Sequence, residues 1–268
     1  MADFSRGILM TNAEYHAHPA ISKSDLDLIN RSPMHFKAAK ENKKDPTDAM
    51  ILGSVVHKLV LEPSTFKGEY AIGPDADKRT KAGKEQWKAF EESINDETII
   101  TSNLYNKAYE MSQAVLSNEL AKKILTGGQA ERSFFWNDIE TGIECKCRPD
   151  YIKNGYVIDL KTTADASPEK FAKSAYDYRY HVQAWWYMNG LRNCGIKADK
   201  FIFIAVEKEF PYAVAIYDAD ELMLDLGRGQ ARKNLESYGR CLETGNFGGY
   251  SAGIEKLSLP DWLLRFYT

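Results

Sequence analysis

The chain has 268 residues, 44% hydrophobic and 27% charged, the balance of a globular water-soluble protein with room for one large domain. A net charge of −3 excludes a molecule that coats nucleic acid through bulk positive charge, but leaves room for a local basic groove. No apolar run reaches the length of a membrane span, and the opening MADFSRGILMTNAEYH lacks the basic flank and apolar stretch of a secretory signal, so a cytoplasmic protein is expected.

Residues 1–47 read as an N-terminal arm with short helices. Ser24 is expected to cap a helix over 25–29, and Ser32-Pro33 to open a second over 34–40. Lys37, Lys40, Lys43 and Lys44 make that second helix and its exit basic, either as a solvated face or as a phosphate-tracking rim. Residues 48–62 predict a helix capped by Asp48 and ended by Pro63, apolar nearly all round and therefore buried. His57 lies on it, one turn after Gly53 and on the same face. Burying an imidazole costs free energy unless its nitrogens find partners, so His57 is either a satisfied core histidine or a ligand. The small Gly53 would let a backbone or a metal approach.

Residues 64–100 are polar, with a helix expected over 80–94. Lys78, Arg79, Lys81, Lys84 and Lys88 face only Glu85 there. The segment is either a phosphate-contacting element or a solvated helix face. One long or two short helices follow over 101–125. The period then changes to that of strands at about 130–136, 143–152 and 155–161, read as a meander. Ser167-Pro168 opens a helix, and another covers 178–191. A hairpin joins 200–206 to 211–217, and a long helix covers 220–243. The tail carries Phe247, Tyr250, Trp262, Phe266 and Tyr267. The whole reads as one α/β domain: an arm (1–47), a core (48–217), and a C-terminal helix and tail (218–268). Cys145, Cys147, Cys194 and Cys241 lack zinc-site spacing and read as reduced thiols.

The chemistry concentrates in RPDYIKNGYVIDLKTT, residues 148–163. Asn154-Gly155 between β-prone runs signals a two-residue hairpin. Asp159 and Lys161 share one face of the second strand, and Asp150 lies on the first. A register slip of one residue would turn Asp159 and Lys161 to the wrong face. Taken alone, Asp-x-Lys is also compatible with an edge-strand salt bridge. Four further features join it: His57 on a buried helix, Glu131 at the head of the first strand, and Gln183 with Tyr187, four apart on one helix.

In that order, the set resembles the PD-(D/E)xK nucleases, and within them the RecB-like branch with a helical His and a Gln-x-x-x-Tyr motif. The run ILMTNAEYHAHPAISKSDL is similar to the RecE (exodeoxyribonuclease VIII) family. The resemblance implies a restriction-endonuclease-like α/β core, a mixed central sheet flanked by helices. It implies a Mg2+-dependent exonuclease that degrades one strand of duplex DNA from the 5′ end, a ring-shaped tetramer, and a partner protein of the RecT single-strand annealing type. The iron–sulfur cysteine pattern of some relatives is absent, so no cluster is expected.

By that resemblance, Asp150, Asp159, the Leu160 carbonyl and His57 would hold Mg2+, with Mn2+ as a substitute. Lys161 would position the attacking water, with Glu131 holding the water or tuning the site. Gln183 and Tyr187 would contact DNA or brace the Asp-x-Lys strand, and Lys78, Arg79 and Lys81 would meet phosphates. Trp185 and Trp186 read as core or interface. An endonuclease on the same fold, a non-catalytic DNA-binding module and an unrelated α/β domain are the competing readings.

Overall fold

The computed structural model describes residues 7–42, 45–251 and 253–260. The N-terminal arm carries helices α1 (Asn12–Ala17), α2 (Lys23–Arg31) and α3 (Pro33–Glu41). Ser32 caps α3 with Pro33 at its first position, as expected, but α2 is capped by Ser22 in a capping box with Asp25. Ser24 lies inside α2. In α4 (Asp48–Leu61) the capping side chain is Thr47 and Asp48 occupies the first turn. Both corrections have one cause: the cap is set by which hydroxyl reaches the amide three residues on.

A short α5 (Phe66–Glu69) leads to β1 (Tyr70–Ile72), which pairs in parallel with β2 (Thr98–Ile100) around α6 (Lys81–Glu91). These two strands escaped the sequence reading because each has only three residues. Two helices then follow, α7 (Ser102–Ser117) and α8 (Glu119–Ile124).

The expected three-strand meander is broken in two places. Residues 130–136 divide into β3 (Gln129–Ala130) and β4 (Phe134–Asn137), because Glu131 turns the chain at φ +50°. Residues 143–152 divide into β5 (Glu144–Cys147) and β6 (Tyr151–Lys153), interrupted at Arg148-Pro149-Asp150, where proline cannot donate to a ladder. β4 and β5 pair with each other apart from the main sheet.

The main sheet has the order β3-β6-β7-β8-β9, with β7 (Tyr156–Thr163), β8 (Lys200–Glu207) and β9 (Val214–Asp218). Only β7 and β8 run parallel, so the sheet is mixed, as expected. Helices α9 (Pro168–Asp177) and α10 (Tyr180–Asn193) connect β7 to β8, and α11 (Glu221–Thr244) follows β9.

Both faces of the sheet are covered. Ile152, Val157, Phe203 and Ala205 pack with Val182 and Trp186 of α10 and Leu235 of α11. Ile158, Leu160, Ile202 and Ile204 pack with Val55 and Val56 of α4 and Met111 of α7. That explains the uninterrupted apolar run of β8. It also removes the edge-strand reading of Asp-x-Lys, because β7 is the central strand. Tyr156, which strand alternation puts on the core face with Ile158 and Leu160, is 42% exposed at the strand's start. In the tail, Phe247 packs on Phe36 and Tyr238 of the same chain, while Trp262, Phe266, Tyr267, Lys43 and Lys44 lie outside the described residues.

Candidate metal centre

The Asn154-Gly155 turn sets the geometry. Both residues have positive φ, +47° and +87°, the form a two-residue hairpin needs. It pairs Lys153 with Tyr156, Ile152 with Val157 and Tyr151 with Ile158. Carried one pair further, that register places Asp150 opposite Asp159. The Asp150 side chain folds back so that Oδ2 accepts the Leu160 N–H at 2.7 Å.

His57 reaches the same carboxylate from α4, its Nδ1 3.4 Å from Asp150 Oδ2. Glu131 comes from the break between β3 and β4, where its N–H donates to the Asp150 carbonyl at 3.0 Å. Ligand atoms of His57, Glu131 and Asp150 all lie within 4.8 Å of one another. Gly53 is not the source of this closeness, since a Cβ there would meet Thr162 Oγ1 at an ordinary 3.6 Å.

Asp159 stands beside this group, fully buried. Its Oδ1 accepts from Gln183 Nε2 at 2.5 Å, and Lys161 Nζ lies 2.5 Å from its Oδ2. Both Asp159 oxygens are therefore engaged inside the protein, one by an amide and one by an ammonium. Lys161 also rests 4.7 Å from the centre of the Tyr180 ring.

The electrostatics call for a cation. Burial, then Asp150, push Glu131 up to about 8, with Arg148 opposing. Burial and Asp150 also push Asp159 up to about 6, against Lys161. Burial opposes the charge on Lys161, yet Asp159 and Asp150 outweigh it and hold the ammonium above the ordinary lysine value. The crowded carboxylates of Glu131 and Asp150 and the His57 imidazole fit a hard divalent cation that keeps some of its water.

Of the sequence-derived residues, His57, Glu131, Asp150, Asp159, Lys161 and Gln183 come together, with one change of emphasis. Glu131 joins His57 and Asp150 directly, while the Asp159 oxygens are engaged by Gln183 and Lys161. Gln183 is buried, and its side-chain amide reaches Asp159 on the Asp-x-Lys strand. Burial raises the Tyr187 hydroxyl well above its ordinary value, with Tyr15, Asp159 and Asp150 adding to the effect, so it remains a protonated donor. Trp186 is core, its Nε1 donating to the Lys146 carbonyl at 3.0 Å, and Trp185 is partly buried.

Lys78 stacks 3.6 Å from the centre of the Trp87 ring, and Arg79 pairs with Asp77 at 2.8 Å. Lys81 opens α6 and is exposed. The contacts of Lys78 and Arg79 lie within their own segment. Tyr180, Tyr15 and Arg148 carry no signal in spacing, and only the fold brings them to the site. Two surface clefts of about 390 Å3 each, one by Arg232 and one by Phe171, include none of the cluster residues in their linings.

Comparison with known proteins places the fold. The profile of the PDDEXK-like domain of unknown function (DUF3799) matches residues 22–260. The chain belongs to that family. It is therefore a PD-(D/E)xK-like domain, with the mixed sheet and flanking helices that the resemblance implied. Among solved structures it is similar to a candidate exonuclease from Eubacterium rectale, with a TM-score of 0.64 and 16% identity over 96% of this chain and 98% of that one. That likeness supports the fold. A phage-related exonuclease from Haemophilus somnus aligns over 71% of this chain and 95% of its own, with 12% identity and a TM-score of 0.36. No curated protein gives a sequence match. Among the described residues, no helix is long and apolar enough to cross a membrane.

Proposed function

We propose that the protein is a Mg2+-dependent exonuclease of double-stranded DNA. It works 5′ to 3′ and leaves a 3′ single-stranded overhang for recombination. The observation that carries the proposal is the meeting of His57, Glu131 and Asp150 beside Asp159 and Lys161. Family membership supports phosphodiester chemistry, and the name of the Eubacterium rectale neighbour agrees with it. Polarity, the ring tetramer and a RecT-type annealing partner rest on the resemblance in sequence.

His57, Glu131 and Asp150 would hold the ion, with Asp159 and the Leu160 carbonyl at its side. When bound, the ion supplies charge to polarise a phosphate and to make a water more acidic. The imidazole is a borderline ligand, so Mn2+ serves as well. Water adds to phosphorus, the bond to the 3′-oxygen breaks, and that oxygen takes a proton. Lys161 acts as a fixed ammonium that orients the water and balances charge developing on the phosphate. Asp159 and Asp150 favour its charged form. Gln183 holds Asp159 in place, and Tyr187 offers a hydroxyl donor.

The deciding assay is digestion of linear duplex labelled at either the 5′ or the 3′ end, with Mg2+, beside closed circular DNA. Early release of the 5′ label and an intact circle are expected. Cutting of the circle would make the protein an endonuclease, and no nucleotide release with any divalent ion would overturn the nuclease reading.

A further inference from the structure

Arg148 stands between the carboxylates and the N-terminal arm. Its Nε lies 3.1 Å from Glu131 Oε2, and its Nη2 donates to Asn12 Oδ1 at 2.5 Å. The guanidinium also sits 4.5 Å from the centre of the Tyr15 ring. One planar group therefore joins a candidate ligand to two residues of α1.

The arm is itself fixed. Ile8 pairs with Ser133, two residues after Glu131, and Ile21 pairs with Cys145. Lys146 is 2% exposed and donates to the carbonyls of Tyr15 and His18, at 2.6 and 2.7 Å. A Thr11–Glu14 capping box holds the start of α1. Tyr15 is buried. Asn12 and Tyr15 are thus presented on a rigid surface, and they set the plane in which Arg148 lies.

Glu131 needs such a restraint. It sits in a left-handed backbone conformation, and repulsion from Asp150 favours turning its carboxylate out to water. The Arg148 fork opposes that movement. Lysine would keep the charge without engaging three partners at once. We infer that Arg148, locked by Asn12 and Tyr15, is a positioning residue that holds Glu131 in the metal centre, which makes the N-terminal arm part of that centre. The inference rests on the nuclease reading above.

The test is calorimetric titration of the full chain with Mn2+, together with nuclease rates at varied Mg2+ and varied DNA. Arg148→Met and Arg148→Lys are expected to weaken Mn2+ binding about tenfold, the low end for loss of a ligand's supporting partner. Asn12→Ala, at an exposed position, weakens it a few-fold and adds nothing in an Arg148→Met background, because it acts through Arg148. KM for DNA at saturating Mg2+ stays unchanged.

Wild-type Mn2+ affinity in the Arg148 variants overturns the inference and leaves the nuclease reading intact. So does a change confined to KM for DNA, which would make Arg148 a phosphate contact. If Arg148→Met fails to fold, Arg148→Lys and Asn12→Ala carry the test. A wild-type chain that binds no Mn2+ overturns both readings.

Discussion

The Asp150 carboxylate accepts the Leu160 amide at 2.7 Å, just beyond the last paired residues of β6 and β7, Tyr151 and Ile158. Extended two pairs beyond Tyr151–Ile158, the register sets Leu160 opposite Pro149, which has no N–H to give. A strand residue's amide and carbonyl face the same edge, so the Leu160 carbonyl is turned toward Asp150 with no donor from Pro149. Asp150 therefore has a structural role and a chemical one, and the two can be separated. Asp150→Asn keeps an acceptor and loses the charge: the melting temperature is retained and DNA degradation falls at least about a hundredfold. Asp150→Ala also leaves a buried amide unpaired, at about 1–3 kcal/mol, and melts several degrees lower. Equal melting of the two variants would sink the structural role.

Gln183 donates to Asp159 Oδ1 at 2.5 Å and is buried, so it is expected to act through Asp159. Gln183→Ala should lower kcat about 10–100-fold, the usual range for a partner that orients a site carboxylate, with KM for DNA unchanged. A higher KM at constant kcat would return Gln183 to the alternative role of a DNA contact.

The hairpin turn has its own cost if altered. At Gly155 the backbone has φ +87°, and a Cβ would stand 2.6 Å from Asp199 Oδ2. Gly155→Ala should destabilise the fold by about 1–2 kcal/mol from the left-handed backbone alone, with the clash adding to it. Chemical denaturation measures this, and an unchanged midpoint would contradict the register argument.

The raised carboxylates give stability a definite pH slope. Glu131 is held up to about 8 when folded, against 4.5 as its ordinary value, and Asp159 up to about 6 against 3.8. Between the ordinary and folded values the native state binds more protons than the unfolded chain. Their contribution is therefore full below about pH 4 and is lost as pH rises toward 8. Metal-free protein should lose stability over that interval, and Glu131→Gln should flatten the loss. Added Mn2+ should restore stability most at the alkaline end, where its ligands are already deprotonated. A thermal-melt series from pH 5 to 8 checks all three, and identical slopes for wild type and Glu131→Gln would rule out the assignment.

Much of this was legible in the residues. Alternation placed Asp159 and Lys161 on one face, and Asn-Gly fixed the register that brings Asp150 opposite. The helix carrying His57 read as buried nearly all round, but it buries one face, through Leu52, Val55, Val56 and Val60, while Met50 is 61% exposed and His57 is half-buried. The strand break at Glu131 was not legible, because the left-handed turn falls on a residue type that rarely adopts it, whereas Pro149 carried a signal for the second break that the meander reading passed over. Arg148 was visible only as the first letter of Arg-Pro-Asp. Its partners, Asn12 and Tyr15, lie more than a hundred residues away, and no local pattern connects them. The same holds for Tyr180 against Lys161. The basic segment around Lys78 and Arg79 read by composition as either a phosphate contact or a solvated helix face, and Glu91, Asp77 and Trp87 pair with it locally.

The central claim is that Asp159 and Lys161 act on a phosphodiester with a divalent cation held beside them. The most direct measurement is nucleotide release from linear duplex DNA with Mg2+ by Asp159→Asn and Lys161→Met, each checked for an unchanged circular dichroism spectrum. Loss of release by both, with the fold intact, is the predicted result. Wild-type turnover by either variant would contradict the account.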